Sequence, residues 1–370
     1  MSKVVGIVNL HSNVSYKGLT EKRPVASVSF LGRYGIIDFV LSNMSNSNVD
    51  TVGVLIKEKP RSLFKHLGNG NSWNFNSKSG GVSLLYNEKY ANNPMYNHDI
   101  NNLVENIAFL EKSKADYVVV APAHIITTMN YAEVVEAHQK SGAEITVVYQ
   151  KIGNANTTFV GSDYLRIKGK QVVEIKQNKG NRKERNISLE TYVFNTKVLL
   201  SLMNYAKKVS SFFDLKDTLA YICDERKIMA YEYKGFARCI DSYEAYYKTS
   251  LEFLDMDVNT QVFKSTWPIF TNTNDTPPTK YKKNAKVKKS FVANGVIVDG
   301  EVEGSILSRN VVIGKNAVVK NCIILNGSYV CPNAHLENVI IDKDARIEKM
   351  KELVSENDDE PLYVKEGDVV

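Results

Sequence analysis

Residues 296 to 347 read VIVDGEVEGSILSRNVVIGKNAVVKNCIILNGSYVCPNAHLENVIIDKDARI, with an aliphatic side chain at almost every sixth position. Val296, Val302, Leu307, Ile313, Val319, Ile324, Val330, Leu336, Ile341 and Ile347 follow at spacings of 6, 5, 6, 6, 5, 6, 6, 5 and 6. Small or turn-forming residues, among them Gly314, Asn316, Asn321, Asn326 and Gly327, fill the intervals. A hairpin meander would instead show period two within each strand and a turn every ~8–12 residues. A hexapeptide rhythm puts one aliphatic inward on each short face of a parallel β-helix, three faces to a coil, and each coil buries its row against the next. Residues 289–370 are therefore expected to form a left-handed parallel β-helix.

Upstream the periodicity is different. The runs VVGIVNL, TVGVLIK, ADYVVVAPA and EITVVYQ are short and rich in Val and Ile, as strands buried on both faces are. Between them Ile100, Leu103, Val104 and Ile107 recur at helical spacing, and NYAEVVEAHQKSG carries Val134, Val135 and His138 on one side before Gly142 stops it. Strand–helix alternation over this length predicts a Rossmann-like, mostly parallel sheet covered on both faces, with ligands at the carboxyl ends of the strands. The expected organisation is an α/β domain over 1–255, a Thr/Asn/Pro-rich linker over 256–288, and the β-helix domain over 289–370.

Composition narrows the function classes. In 370 residues with 43% hydrophobic and 24% charged, no apolar run approaches the ~20 needed to span a bilayer, so no membrane role is expected. The opening MSK and short VVGIVNL lack a signal peptide's h-region and cleavage site and read as a first strand, with the cytoplasm as the expected compartment. Cys223, Cys239, Cys322 and Cys331 match neither a redox pair nor a zinc spacing and read as buried thiols. The formal charge of +6 concentrates in NKGNRKER (178–185) and KYKKNAKVKK (280–289), with no aromatic interleaving. Solvated surface or a phosphate-bearing small molecule suits these runs, and nucleic acid is not expected.

The order of a parallel-sheet domain and a hexapeptide β-helix is the plan of sugar-1-phosphate nucleotidyltransferases. The chain resembles the bacterial glucose-1-phosphate adenylyltransferases, which make ADP-glucose for glycogen. The match is carried by SFLGRYGIIDFVLSNMSNSNVDTVGVLI (29–56), LFKHLGNGNSWNF (63–75), ADYVVVAPAHI (115–125), CIDSYEAYYKTSLEFL (239–254) and WPIFT (267–271), and it spans almost the whole chain. Within that resemblance the catalytic signatures are altered. Active members follow the first strand with a glycine-rich loop whose backbone N–H groups approach the triphosphate. This chain has NLHSNVSYKGLT there, with Gly18 alone near its far end. Arg23 is retained, but Val25 stands at the family's lysine and Ala26 at the following proline. The family's Gly-Asp-His, whose carboxylate holds Mg²⁺, becomes Pro122-Ala123-His124.

The second metal carboxylate falls on Asp241, which is retained. It has two readings: a remnant of the Mg²⁺ site, or the N-cap of a capping box with Glu244. The segment contacting base and ribose in relatives corresponds to His98-Asp99-Ile100-Asn101, and the sugar-phosphate segment to Gln177-Asn178-Lys179. Lys179 reads as a solvated lysine or a weak substrate contact. His124 reads as a hydrogen-bonded strand terminus or a base. Relatives place a cation before the IIDF segment in an anionic activator site, where this chain has Arg33; Lys57, Lys59 and Arg61 could join it, or be surface charge.

The resemblance implies a non-catalytic second subunit with no cofactor of its own, the Mg²⁺ belonging to a catalytic glucose-1-phosphate adenylyltransferase partner. A hetero-oligomer, a tetramer by resemblance, and an anionic sugar-phosphate effector follow from it. The rivals are a weakly active adenylyltransferase using Asp241 and shifted lysines, and a stand-alone sugar-phosphate sensor.

Overall fold

The structure, a computed structural model, describes residues 2–75, 80–210, 214–357 and 359–370. It divides into two compact units: Met1–Asn13 with Ile37–Cys239 and Trp267–Phe270, and Val14–Ile36 with Ile240–Thr266 and Thr271–Val370. The first is a sheet unit. The second contains the β-helix.

The sheet has nine strands, in spatial order Gly81–Tyr86, Thr51–Ile56, Val4–Asn9, Tyr117–Pro122, Arg185–Asn195, Ile145–Ile152, Ile228–Glu232, Gln171–Gln177 and Asp163–Lys168. The first four strands in this order pair in parallel. Arg185–Asn195 runs antiparallel to both neighbours, and Asp163–Lys168 forms an antiparallel hairpin with Gln171–Gln177. Val5, Ile7, Val118, Val120, Ile145 and Phe194 are fully buried under the covering helices, each such side chain contributing roughly 1.5–3 kcal/mol.

The helical pattern after Ile100 is interrupted. Asn106 Nδ2 donates to Tyr86 O at 2.6 Å and Asn102 O at 3.0 Å, and the segment becomes two helices, Asp99–Glu105 and Ile107–Ser113; a short amide that bonds the backbone competes with helix continuation. Tyr131–Ser141 forms as its sequence predicts, capped by the Asn130 side chain and ended by Gly142 at φ 60°.

Two of the segments that carry the family resemblance, 29–56 and 267–271, supply residues that meet in this unit. Helix Ile37–Asn46 offers Asn43 Oδ1 to Trp267 Nε1 at 2.8 Å, and Ser42 Oγ accepts from Phe270 N at 2.8 Å. His66 Nε2 lies 2.6 Å from Oδ1 of the fully buried Asp38. These motifs are scaffold.

In the second unit three parallel five-stranded sheets form the faces of the β-helix. Register stacks Val302, Val319, Leu336 and Leu353 in one inward row, and Leu307, Ile324, Ile341 and Val364 in another. The third row is Val298, Ile313, Val330 and Ile347. Val296 is buried but precedes that row, so Val298 heads it. Asn310, Asn316, Asn321, Asn333 and Asn338 turn the coils at φ between 49° and 60°, a conformation Asn tolerates better than other non-glycine residues.

The stretch expected as linker contains helix Met256–Val262 and strands Lys280–Tyr281 and Lys286–Lys288, which start the first coil. Residues 14–36 and 240–266 also cluster with the β-helix, although the periodicity changes only near 255. Aromatic packing accounts for this: Tyr16 stacks on Tyr246 at 5.6 Å and Phe30 meets Phe253 edge-on at 5.6 Å. Tyr247 Oη donates to Asn321 O at 2.7 Å and Tyr243 Oη to Pro361 O at 3.2 Å. All four cysteines are buried and outside any disulfide among the described residues.

Candidate functional site

In the sheet unit the first strand ends at Asn9, between the ends of Thr51–Ile56 and Tyr117–Pro122. A nucleotide would be met here by backbone N–H groups. Instead the turn folds onto its own side chains. Asn9 Oδ1 accepts from His11 N at 3.1 Å, while Asn9 Nδ2 donates to Asp99 Oδ2 at 2.7 Å. Asn102 Nδ2, fully buried, donates to His11 Nε2 at 3.0 Å, to Ile56 O at 3.2 Å and to Leu85 O at 3.3 Å. Lys57 Nζ donates to Asn13 Oδ1 at 2.6 Å, and Asn97 Nδ2 to Lys57 O at 2.8 Å. Asn9 and His11 of the turn are thus brought to Asp99 and Asn102, and the turn is closed by imidazole and amide groups.

The electrostatics oppose a polyphosphate. Asp99 accepts from Ile100 N at 2.7 Å and Leu215 N at 2.8 Å; burial, then the Asp214 carboxylate, pushes it up to about 7. The site thus holds a carboxyl group where a triphosphate would need cations. Burial, then the Lys57 charge, lowers His11 to about 3. A neutral imidazole fits an Nε2 that accepts from Asn102.

His11 should therefore stay uncharged far below the usual range. An NMR titration of the full chain is expected to show no His11 protonation between pH 7 and 4.5. Below its unfolded value of about 6.5 the unfolded chain binds a proton that the native imidazole does not, so stability falls as pH drops from about 6.5 toward 3, by at most ~1.4 kcal/mol per unit. Asp99 gives the opposite slope, losing stability as pH rises toward 7, so the measurement is the difference between wild type and His11→Gln. Equal pH slopes for the two would contradict the neutral imidazole.

Beside this turn lies a cluster the sequence reading did not find. Strand Arg185–Asn195 shifts register between Ser188 and Thr191, and Glu190 within the shift adopts φ 49°, a backbone state costly for a side chain other than glycine. Its carboxylate lies 3.8 Å from His124 Nε2 and 3.9 Å from Lys216 Nζ, and Lys216 reaches Asp163 at 3.4 Å. Burial raises Asp163 to about 6. His124 is thus a buried partner of Glu190. The one available signal was an acid inside the apolar run NISLETYVF.

Ala123 is buried at the end of Tyr117–Pro122 and supplies no carboxylate. Among the described residues no group of three or more His, Cys, Asp or Glu could hold a metal ion. Asn178 is buried, its Nδ2 bonded to Ala155 O at 2.8 Å and Phe159 O at 2.9 Å. Lys179 is exposed.

In the second unit Arg23 is buried. Its Nη2 lies 2.9 Å from Asp342 Oδ2 and 2.9 Å from Glu366 Oε2, and Tyr363 Oη donates to the same Asp342 oxygen at 2.8 Å. Gly18 packs against this group: a Cβ there would meet the Tyr363 ring at 2.1 Å. Both residues have a structural reason to persist. Val25 is half-buried and opens a single turn, Val25–Ser27. The capping reading of Asp241 is corrected: the N-cap of Tyr243–Glu252 is Ser242, whose Oγ accepts from Ala245 N at 3.0 Å. Glu244 pairs with Lys17 at 2.7 Å.

The four cations read as an activator set divide between the units. Lys57, Lys59 and Arg61 belong to the sheet unit, Lys59 lying 3.2 Å from Glu58 and Arg61 opening helix Arg61–Leu67. Arg33, in the other unit, lies over the Tyr34 ring at 5.3 Å and lines a cavity of about 340 Å³ with Leu31, Asn259, Phe263 and Phe291.

Comparison with known proteins agrees with the architecture. Residues 17–253 match the nucleotidyl transferase family and residues 277–370 the GlmU-like C-terminal hexapeptide family. The chain is 31% identical to the glycogen biosynthesis protein GlgD of Bacillus subtilis (strain 168), over 95% of this chain and 92% of that one. It is 30% identical to a glucose-1-phosphate adenylyltransferase of Fusobacterium nucleatum, over 82% of this chain and 80% of that one. It is 32% identical to one of Clostridium botulinum (strain Alaska E43 / Type E3), over 82% and 80%. No described helix is long and apolar enough to cross a membrane. A nucleotidyl transferase match over most of the chain, a hexapeptide domain after it and these relatives together mean that the chain belongs to the glucose-1-phosphate adenylyltransferase family of nucleotidyl transferases.

Proposed function

We propose that this chain is a non-catalytic subunit in glycogen biosynthesis, assembling with a catalytic glucose-1-phosphate adenylyltransferase and tuning it. The observation that carries the reading is the filled turn, in which Asn9, His11, Asp99 and Asn102 satisfy one another where a phosphate cradle would stand. Val25 and Ala123 add the loss of a cation and of a metal carboxylate, so the Mg²⁺ belongs to the partner. The retained scaffold motifs support a chain kept for its shape, and similar surfaces let one subunit replace another in a closed assembly, here a hetero-tetramer. Arg33, in the second unit, is the proposed contact for an anionic sugar-phosphate effector.

The test is co-purification with the catalytic chain of the same genome, followed by kinetics. The mixed assembly should shift the partner's apparent affinity for substrate or effector by a coupling of ~1–3 kcal/mol. Identical partner kinetics with and without this chain, and two separate species in sedimentation, would remove the reading.

A further inference from the structure

The far side of the sheet unit carries a second candidate site. Strand Arg185–Asn195 touches Asp163–Lys168 at Ile187 and Tyr164, so the outer strands curl toward a ring. The ring is held loosely on one side. Ile228–Glu232 pairs along its length with the strand Ile145–Ile152 on one side, but on the other meets Gln171–Gln177 only at Met229 and Gln171. Past that pair, where Ala230 N donates to Lys170 O at 2.8 Å, a groove of about 880 Å³ opens. Its volume is within the range of small-molecule sites.

Two features of the lining specify a ligand. Tyr149, Ile167, Met229 and Tyr231 give it a largely apolar interior, which suits a flat body better than a bare ion. Four lysines and one carboxylate, Glu232, stand around that interior. Lys140 is paired with Glu136, and Lys227 Nζ donates to Ser141 O at 3.3 Å and Gly142 O at 3.4 Å. Lys168 and Lys170 make no ion pair among the described residues, and they flank Gly169, at φ 63°, on the hairpin tip. A Cβ on Gly169 would meet nothing within 4 Å, so the backbone between the two lysines is open to approach.

We propose that this groove binds a small phosphorylated ligand with a flat apolar body, the chemistry of a mononucleotide, its phosphate held by Lys168 and Lys170 and its body against Tyr149, Met229 and Tyr231. None of these residues belongs to the filled turn, so the site is independent of the regulatory reading above.

Calorimetric titration of the full chain with AMP, adenosine and inorganic phosphate tests it, using wild type and the double variant Lys168→Glu/Lys170→Glu. Both lysines are exposed, and an unchanged melting curve certifies the variant's fold. AMP is expected to bind wild type at micromolar to submillimolar concentration and at least ~10-fold more weakly to the variant. Adenosine or phosphate alone should bind at least ~10-fold more weakly than AMP. No AMP binding, equal binding to the variant, or phosphate matching AMP would each overturn the proposal.

Discussion

Given ATP, glucose 1-phosphate and Mg²⁺, the purified chain is expected to form no ADP-glucose, with turnover at least ~10³-fold below the ~1–10³ s⁻¹ usual for enzymes. Phosphoryl-type transfer is almost entirely positioning and charge stabilisation, and here the donors that would do both are committed elsewhere. The Asn9 amide holds Asp99 and the Asn102 amide holds His11. Val25 and Ala123 offer neither a cation nor a metal ligand. Metal-dependent pyrophosphate release within about tenfold of the usual range would show that ATP finds another way in.

Reversion sharpens this expectation. Ala123→Asp alone should restore nothing measurable, because residues that act as a unit are strongly non-additive. The productive combination has to include Ala123→Asp, Val25→Lys and a glycine-rich loop across 10–15. It also has to include Asp99→Ala, since that acid is held by Leu215 N and Ile100 N, independently of the turn. If Ala123→Asp alone matched the full set in ADP-glucose formation, the turn would already admit a triphosphate.

The β-helix was legible because its signal is repetition: an error at one position, such as Val296 for Val298, leaves the period intact. The strands Val4–Asn9, Thr51–Ile56, Tyr117–Pro122 and Ile145–Ile152 were legible because a short run of Val and Ile has few other uses. The filled turn was legible only as an absence of glycine. What fills it depends on bonds between residues about ninety positions apart, His11 with Asn102 and Asn9 with Asp99, and no local pattern encodes those. The cap of Tyr243–Glu252 failed for a smaller reason. Asp241 and Ser242 are both good caps, and only the helix register decides between them, here in favour of Ser242. Residues 14–36 and 240–255 were read with the sheet because the periodicity changes only near 255, whereas their aromatic side chains cluster with the coils.

Arg23→Ala is expected to be the most damaging single substitution in the second unit, costing roughly 3–5 kcal/mol. The guanidinium is 4% exposed and Asp342 is fully buried, so removal of the cation strands a carboxylate in the interior. The remaining partners of Asp342, Tyr363 Oη at 2.8 Å and Lys343 N at 2.7 Å, are neutral donors and do not balance its charge. Arg23→Lys should recover part of the loss, since both contacts, to Asp342 and to Glu366, run from the single nitrogen Nη2 and an ammonium has donors for both. Arg23→Met combined with Asp342→Asn should cost much less than Arg23→Ala, because the pair is then removed together and not broken. Urea midpoints, with hydrogen exchange over residues 14–36 and the last coil, separate the cases: local opening should appear in both segments at once. An arginine kept only to meet a nucleotide would give a different result, with Arg23→Ala shifting the midpoint by less than ~0.5 kcal/mol and exchange unchanged. That outcome would reassign Arg23 to binding and reopen the question of what the second unit retains from a catalytic ancestor.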